Sequence, residues 1–201
     1  MRYGCLVIVL LLATRGLSAQ DSRLAQQYFQ NGEYEKAAAM YDDLYQKNGN
    51  NDFFFDRYFQ CLLALEQYSE AEQVLQKQIR KNNGNVKLYV SFGTLLERVN
   101  RYDEAEEQYQ LAIDRLPTDQ YSVTRLANAF IGKTKYKYAI ATYERGAELM
   151  KDKRIFSQNL GDLYRRMGES KPMINAYLNA LEDNPDRIRQ LKITFSRYLS
   201  K

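Results

Sequence analysis

The chain has 201 residues, 45% of them hydrophobic and 27% charged, with ten glycines and three prolines. This mixture suits a folded, helix-rich protein of about one domain and excludes a disordered or low-complexity segment. The complete lack of histidine removes histidine triads, imidazole metal sites and a histidine pH switch. The 29 basic against 25 acidic residues form no basic stripe, so nucleic acid is not an expected partner.

Met1-Arg2-Tyr3-Gly4 gives a short positive start, Cys5 to Ala13 is an unbroken apolar run of nine, and Thr14 to Ala19 is more polar and ends in small residues. That is the layout of a secretory signal peptide over residues 1–19, cut before Gln20. The alternative is an uncleaved anchor, which needs roughly 17–25 apolar residues, about twice what is present. A lipid-modified cysteine would have to follow the apolar run, whereas Cys5 starts it. The expectation is an exported product, periplasmic or secreted, with no integral membrane span after cleavage. No Asn-x-Ser/Thr sequon occurs, which fits a bacterial envelope. Cys61 is then the one thiol left, and its apolar helical neighbours Phe59, Leu62 and Leu65 predict burial.

From residue 20 onward the chain repeats itself every 34 residues. Tyr34, Tyr68, Tyr102 and Tyr136 share one register, followed at +3 by Ala37, Ala71, Ala105 and Ala139, and at +7 by Tyr41, Leu75, Tyr109 and Tyr143. Ser170, Met173 and Tyr177 continue it. Ten residues before each of these starts lies an apolar residue (Leu24, Tyr58, Phe92, Leu126, Leu160), followed by a small one except at Phe59. Each copy holds two helical stretches. In the third, Phe92, Leu95, Leu96 and Val99 share a face of the first helix, and Ala105, Tyr109, Ala112 and Ile113 share a face of the second. A single hairpin cannot bury such faces, so neighbouring copies must cover one another.

In these residues the chain resembles the tetratricopeptide repeat family, most closely at Tyr89, Phe92-Gly93, Leu96, Tyr102, Ala105, Tyr109, Ala112 and Pro117, and again at Leu160-Gly161, Tyr164, Tyr177, Ala180 and Pro185. The resemblance implies an all-α fold, a right-handed superhelical solenoid of helix-turn-helix units. Five repeats are expected within 20–187, at 20–51, 52–85, 86–119, 120–153 and 154–187. Residues 188–201 form a terminal helix, either a cap or the start of a sixth repeat.

Twelve of the seventeen tyrosines occupy repeat positions, Tyr102 among them, and are expected in the core, whereas Tyr45, Tyr121 and Tyr138 have no such explanation. Lys133, Lys135 and Lys137 fall at a turn and are expected to form a solvated basic tip. Acid pairs such as Glu106-Glu107 lie on outward faces of second helices. No phosphate loop, zinc spacing, calcium loop or nucleophile elbow is present, so neither an enzyme nor a cofactor is expected.

In the family, first helices line a concave groove that holds a peptide or a partner helix. The resemblance places Lys87, Val90, Thr94, Glu97 and Arg98 of the third repeat in that groove. With them go Tyr121, Thr124, Asn128 and Ile131 of the fourth, and Gln158, Asp162 and Arg165 of the fifth. Asn128 and Asn159 resemble half of the family's carboxylate clamp, but Thr124 stands where its first Lys would be. The expected function is an exported protein-protein interaction scaffold. The alternative is the N-terminal recognition module of a longer exported enzyme or receptor. Oligomeric state is left open.

Overall fold

The computed structural model describes residues 20–48 and 51–199, and the expected signal peptide at 1–19 lies outside them. Helix α1 covers 20–30. Ten more follow: α2 (Tyr34–Lys47), α3 (Asp52–Ala64), α4 (Tyr68–Lys81), α5 (Lys87–Arg98), α6 (Tyr102–Asp114), α7 (Gln120–Gly132), α8 (Tyr136–Leu149), α9 (Ser157–Met167), α10 (Ser170–Asp183) and, after a 3-10 turn at Pro185–Arg187, α11 (Ile188–Leu199). There is no strand among the described residues. The protein is all-α, built of helical hairpins. It divides into two compact units, Met1–Lys81 with α1–α4 and Asn82–Lys201 with α5–α11.

Each hairpin turns on one left-handed residue. Gly32, Glu66, Asn100, Thr134 and Gly168 have φ of +76, +58, +62, +59 and +77°, and they lie 34 apart. At every one, the amide of the following residue reaches back across the last turn of the first helix: Glu33 to Tyr28, Gln67 to Leu62, Arg101 to Leu96, Lys135 to Phe130 and Glu169 to Tyr164, at 2.9–3.0 Å. This is a Schellman closure, which satisfies carbonyls the helix end would leave bare. Two first helices, α3 and α7, start on side-chain caps, Asn51 accepting from the amide of Phe53 and Asp119 from that of Ser122.

In the hairpins α5–α6 and α9–α10 the core is a ring set into a gap. A Cβ added to Gly93 would stand 2.3 Å from the Tyr109 ring, and one added to Gly161 would stand 2.5 Å from Tyr177. The glycines therefore make room for a side chain on the second helix, rather than for its backbone. Gly146 does the same for Val123 and Phe156, at 2.6 and 2.9 Å. In the first unit Tyr41 packs edge-on to Phe29 and Phe53, and Tyr45 donates to the buried Gln78 Oε1 at 2.8 Å. Cys61 is fully buried, and that burial pushes its thiol up to about 11, so it is an inert packing group.

The tyrosines divide differently from expectation. Tyr41, Tyr58, Tyr89, Tyr109, Tyr143 and Tyr177 are buried, but Tyr102 is 61% exposed, and Tyr34, Tyr68 and Tyr136, which share its register, are only half-buried. The first residue of a second helix has its neighbouring helix on one side only. Tyr45, outside the repeat pattern, is buried. Leu24 and Leu160 are also more open than a core position requires.

Candidate functional site

All twelve candidate groove residues belong to the second unit, on α5, α7 and α9. Within it α7 packs on α5 and α8 on α6, while α9 packs on α8 and α10. The arrangement follows from the rings beneath it. With Tyr109 and Tyr177 reaching into gaps at Gly93 and Gly161, their hydroxyls emerge beside the next residue of the first helix. Tyr177 donates to Asp162 Oδ1 at 2.8 Å, and the Tyr109 hydroxyl lies 3.5 Å from Thr94 Oγ1. In the fourth repeat the partner changes, and the Tyr143 hydroxyl accepts from Asn159 Nδ2 at 3.4 Å. Burial raises the pKa of all three phenols above the ordinary value, Tyr177 to about 12, so they act as fixed hydrogen-bonding groups.

On α9, three candidates converge. Asp162 accepts from Gln158 Nε2 at 3.2 Å and from Arg165 Nη2 at 3.4 Å, and Arg165 Nε donates to the Tyr177 hydroxyl at 3.3 Å. On α5, Thr94 also bonds the carbonyl of Val90 at 2.9 Å, and Glu97 is taken by Lys135. Val90 itself is 2% exposed, so its side chain faces packing and offers no groove surface. Lys87 is half-buried and Arg98 is exposed. On α7, Tyr121 is 69% exposed, Asn128 is open, and Ile131 is half-buried. Thr124 spends its hydroxyl on the carbonyl of Gln120. Asn159, the other resemblance to a carboxylate clamp, is engaged with Tyr143.

The lysine-rich turn is not a free basic tip. Lys135 pairs with Glu97, and Lys137 pairs with Glu106 at 2.9 Å. Tyr138 donates to the same Glu106 at 3.0 Å, and its ring stacks on Phe130 and leans on Tyr109 at 4.8 Å. Two of the three cations therefore neutralise acids of the preceding hairpin, while Lys133 stands exposed. The cleft beside them, of about 470 Å³, is walled by Tyr102, Tyr136 and Tyr138 over these ion pairs. Sequence spacing gives no hint of this, because Glu97 and Lys135 are 38 residues apart, four off the repeat. Arg125, whose guanidinium lies 5.2 Å from the centre of the Tyr121 ring, is also outside the expected set. An aromatic followed four residues later by Arg on an outward helix face is the signal that points to it.

Two families have models that match this chain. A tetratricopeptide repeat model matches residues 86–119 and 157–187, and a model described as anaphase-promoting complex, cyclosome, subunit 3 matches residues 10–78. These matches support the tetratricopeptide-repeat reading of the hairpins. No curated protein matches the chain. Among solved structures it is similar to MamA from Desulfovibrio magneticus RS-1, with 16% identity over 85% of this chain and 97% of that one, at a TM-score of 0.44. It is also similar to TTC0263, a thermophilic protein of this repeat class from Thermus thermophilus, with 16% identity over 92% and 100%, at 0.44. A third is YrrB, described as having an unusual peptide-binding site, with 18% identity over 86% and 89%, at 0.39.

Proposed function

We propose that this is an exported, non-catalytic scaffold whose second unit holds a peptide or protein against the outward side of its first helices, as part of a cell-envelope assembly. The carrying observation is on α7, where Tyr121, Arg125 and Asn128 stand exposed along one helix while Val123, Leu126, Ala127 and Phe130 are buried against the protein. A large aromatic and an arginine left outward are the residue types that dominate partner contacts. Export rests on the pattern of residues 1–19. No helix among the described residues is long and apolar enough to cross a membrane.

The test is capture of partners from an envelope extract on immobilised protein, comparing the native chain with Asn128→Arg, whose exposed site leaves folding intact. Loss of the captured species with an unchanged melting curve supports the assignment. Equal capture by both proteins refutes it. A second reading, a recognition module within a longer exported enzyme or receptor, is favoured by α11, where Ile188 and Ile193 are 47% and 50% exposed. The mass of the native gene product, measured from its source, decides between them.

A further inference from the structure

Helix α7, Gln120–Gly132, carries a single charged residue, Arg125, and no acid. Elsewhere on this unit several cations are paired with acids, Lys135 with Glu97, Lys137 with Glu106, Arg145 with Glu148, Arg154 with Glu182 and Arg165 with Asp162, whereas Lys133 and Arg98 stand exposed. Among the described residues Arg125 has no carboxylate within ion-pair distance; its partner is the face of Tyr121. The repeat itself does not demand this pair. In the same register the third repeat has Lys87 and Ser91, and the fifth has Ile155 and Asn159.

The pair does recur once, in the other unit taken by itself. There Phe53 is 45% exposed, and Arg57 lies 5.4 Å from the centre of its ring and 4.7 Å from that of Phe29. A ring and a cation four apart on a solvated face add little to helix stability, so stability does not account for an outward aromatic at this position. A guanidinium held over a ring has lost part of its freedom while its N–H groups remain able to take a carboxylate through two parallel hydrogen bonds.

The geometry points to an acidic, extended protein segment as the occupant of the α7 face. An internal Asp or Glu side chain sits on Arg125, its apolar neighbour lies against Tyr121, and the exposed amide of Asn128 serves the segment's backbone. On α3 the corresponding Arg57 is half-buried and already donates to Gln60 Oε1 at 3.1 Å, so the α7 pair is the open one. This rests on the scaffold reading above and specifies the charge of its partner.

The probe is a short peptide alternating Glu with Leu and Phe, acetylated and amidated so that side-chain carboxylates are its only charges. Binding to the full chain is followed by fluorescence anisotropy. Arg125→Gln and Tyr121→Ala should each weaken binding about tenfold. Replacing every Glu of the peptide by Gln should do at least as much, and the native affinity should fall as salt rises from about 0.05 to about 0.3 M. Melting curves of both variants should match the native one, since both side chains are exposed. Equal binding of the Glu and Gln peptides, unchanged binding by both variants, or binding by neither peptide overturns the inference. So does a Gln peptide with a free C-terminus that matches the Glu peptide, because recognition would then belong to the chain end. Capture of an envelope partner that is lost in Asn128→Arg yet indifferent to Arg125→Gln would remove this inference and leave the scaffold reading standing.

Discussion

The hairpins α5–α6 and α3–α4 fill the same space with opposite residues. In the first, Gly93 yields to the ring of Tyr109. In the second, 34 residues earlier in register, Phe59 and Leu75 stand at those two positions, and both are buried. A missing side chain on one helix matches a large ring on the other, and a large ring on the first matches a smaller aliphatic on the second. What the repeat preserves is a buried aromatic at one of these two positions, not a fixed combined volume, since Phe with Leu is larger than Gly with Tyr. Which helix supplies the ring is free to change, and the neighbouring side chains close-pack around it accordingly.

The largest effects should come from breaking that match. Tyr109→Ala removes a fully buried ring and should cost about 3–5 kcal/mol. Gly93→Ala, whose new methyl meets the ring, should cost about 1–3 kcal/mol. The informative variant is the exchange Gly93→Phe/Tyr109→Leu, which copies the α3–α4 solution. In urea unfolding it should be more stable than the sum of its single changes by about 0.5–3 kcal/mol. Strict additivity would show that these positions do not share one space.

The two solutions also differ in what they bury besides carbon. Leu75 has no ionisable group, whereas Tyr177, paired with Gly161, carries a hydroxyl whose pKa is raised to about 12, by burial first and then by its bond to Asp162. The sign follows from linkage. With the folded value above the ordinary one of 10.0, the unfolded chain loses this proton first. Stability is therefore undiminished below pH 10 and falls as pH rises from there towards 12. Tyr41, Tyr45, Tyr58, Tyr109 and Tyr143 shift in the same direction. Urea midpoints should drop between about pH 10 and about pH 12, and Tyr177→Phe should flatten that slope while lowering the neutral midpoint. A slope unchanged by the substitution would take Tyr177 out of the account.

The left-handed turns allow the same comparison on a smaller scale. Gly32 and Gly168 adopt φ near +76° freely, whereas Thr134 holds +59° with a β-branched side chain, a conformation that costs about 1–2 kcal/mol. Thr134 is exposed, so Thr134→Gly should raise stability by about 1 kcal/mol. Gly168→Ala, where an added Cβ would touch nothing within 4 Å, should lower it by about the same amount through backbone strain alone. Opposite shifts in melting temperature are the observation required. Two shifts of the same sign would mean that side-chain contacts outweigh conformation here.

The fold was legible in this sequence because helix period and 34-residue period reinforce each other. Ala37, Ala71, Ala105 and Ala139 sit in one register, and all four are buried. The left-handed turns were legible at Gly32, Asn100 and Gly168, residue types that favour positive φ, whereas nothing about Glu66 or Thr134 announces it. The groove was legible as a set of helix positions, from family resemblance, but not residue by residue. Val90 satisfies the spacing for an outward place and is buried. Tyr102 satisfies the spacing for a core place and is exposed. Periodicity assigns a residue to a face, and only the neighbouring helices decide how much of that face is covered. Pairs that cross between repeats out of register, such as Glu97 with Lys135, leave no trace in a self-comparison.

That last pair gives the smallest effect and a distinct test of how repeats join. Lys135 and Glu97 are each about a quarter exposed, at 28% and 27%, whereas Lys137 and Glu106 are mostly in solvent, at 73% and 62%. Screening should make the inner pair the stronger of the two. A double-mutant cycle with Lys135→Met and Glu97→Gln should give a coupling of about 0.5–1 kcal/mol, against under about 0.5 kcal/mol for the outer pair. Met is the right replacement because the Lys135 ammonium also lies 5.6 Å from the centre of the Tyr109 ring, and an aliphatic chain there keeps the packing while removing the charge. If the two cycles gave equal couplings that vanished together in high salt, the lysine turn would be an ordinary solvated surface, and the contact between the third and fourth hairpins would rest on packing such as that of Phe130 and Tyr138 on Tyr109.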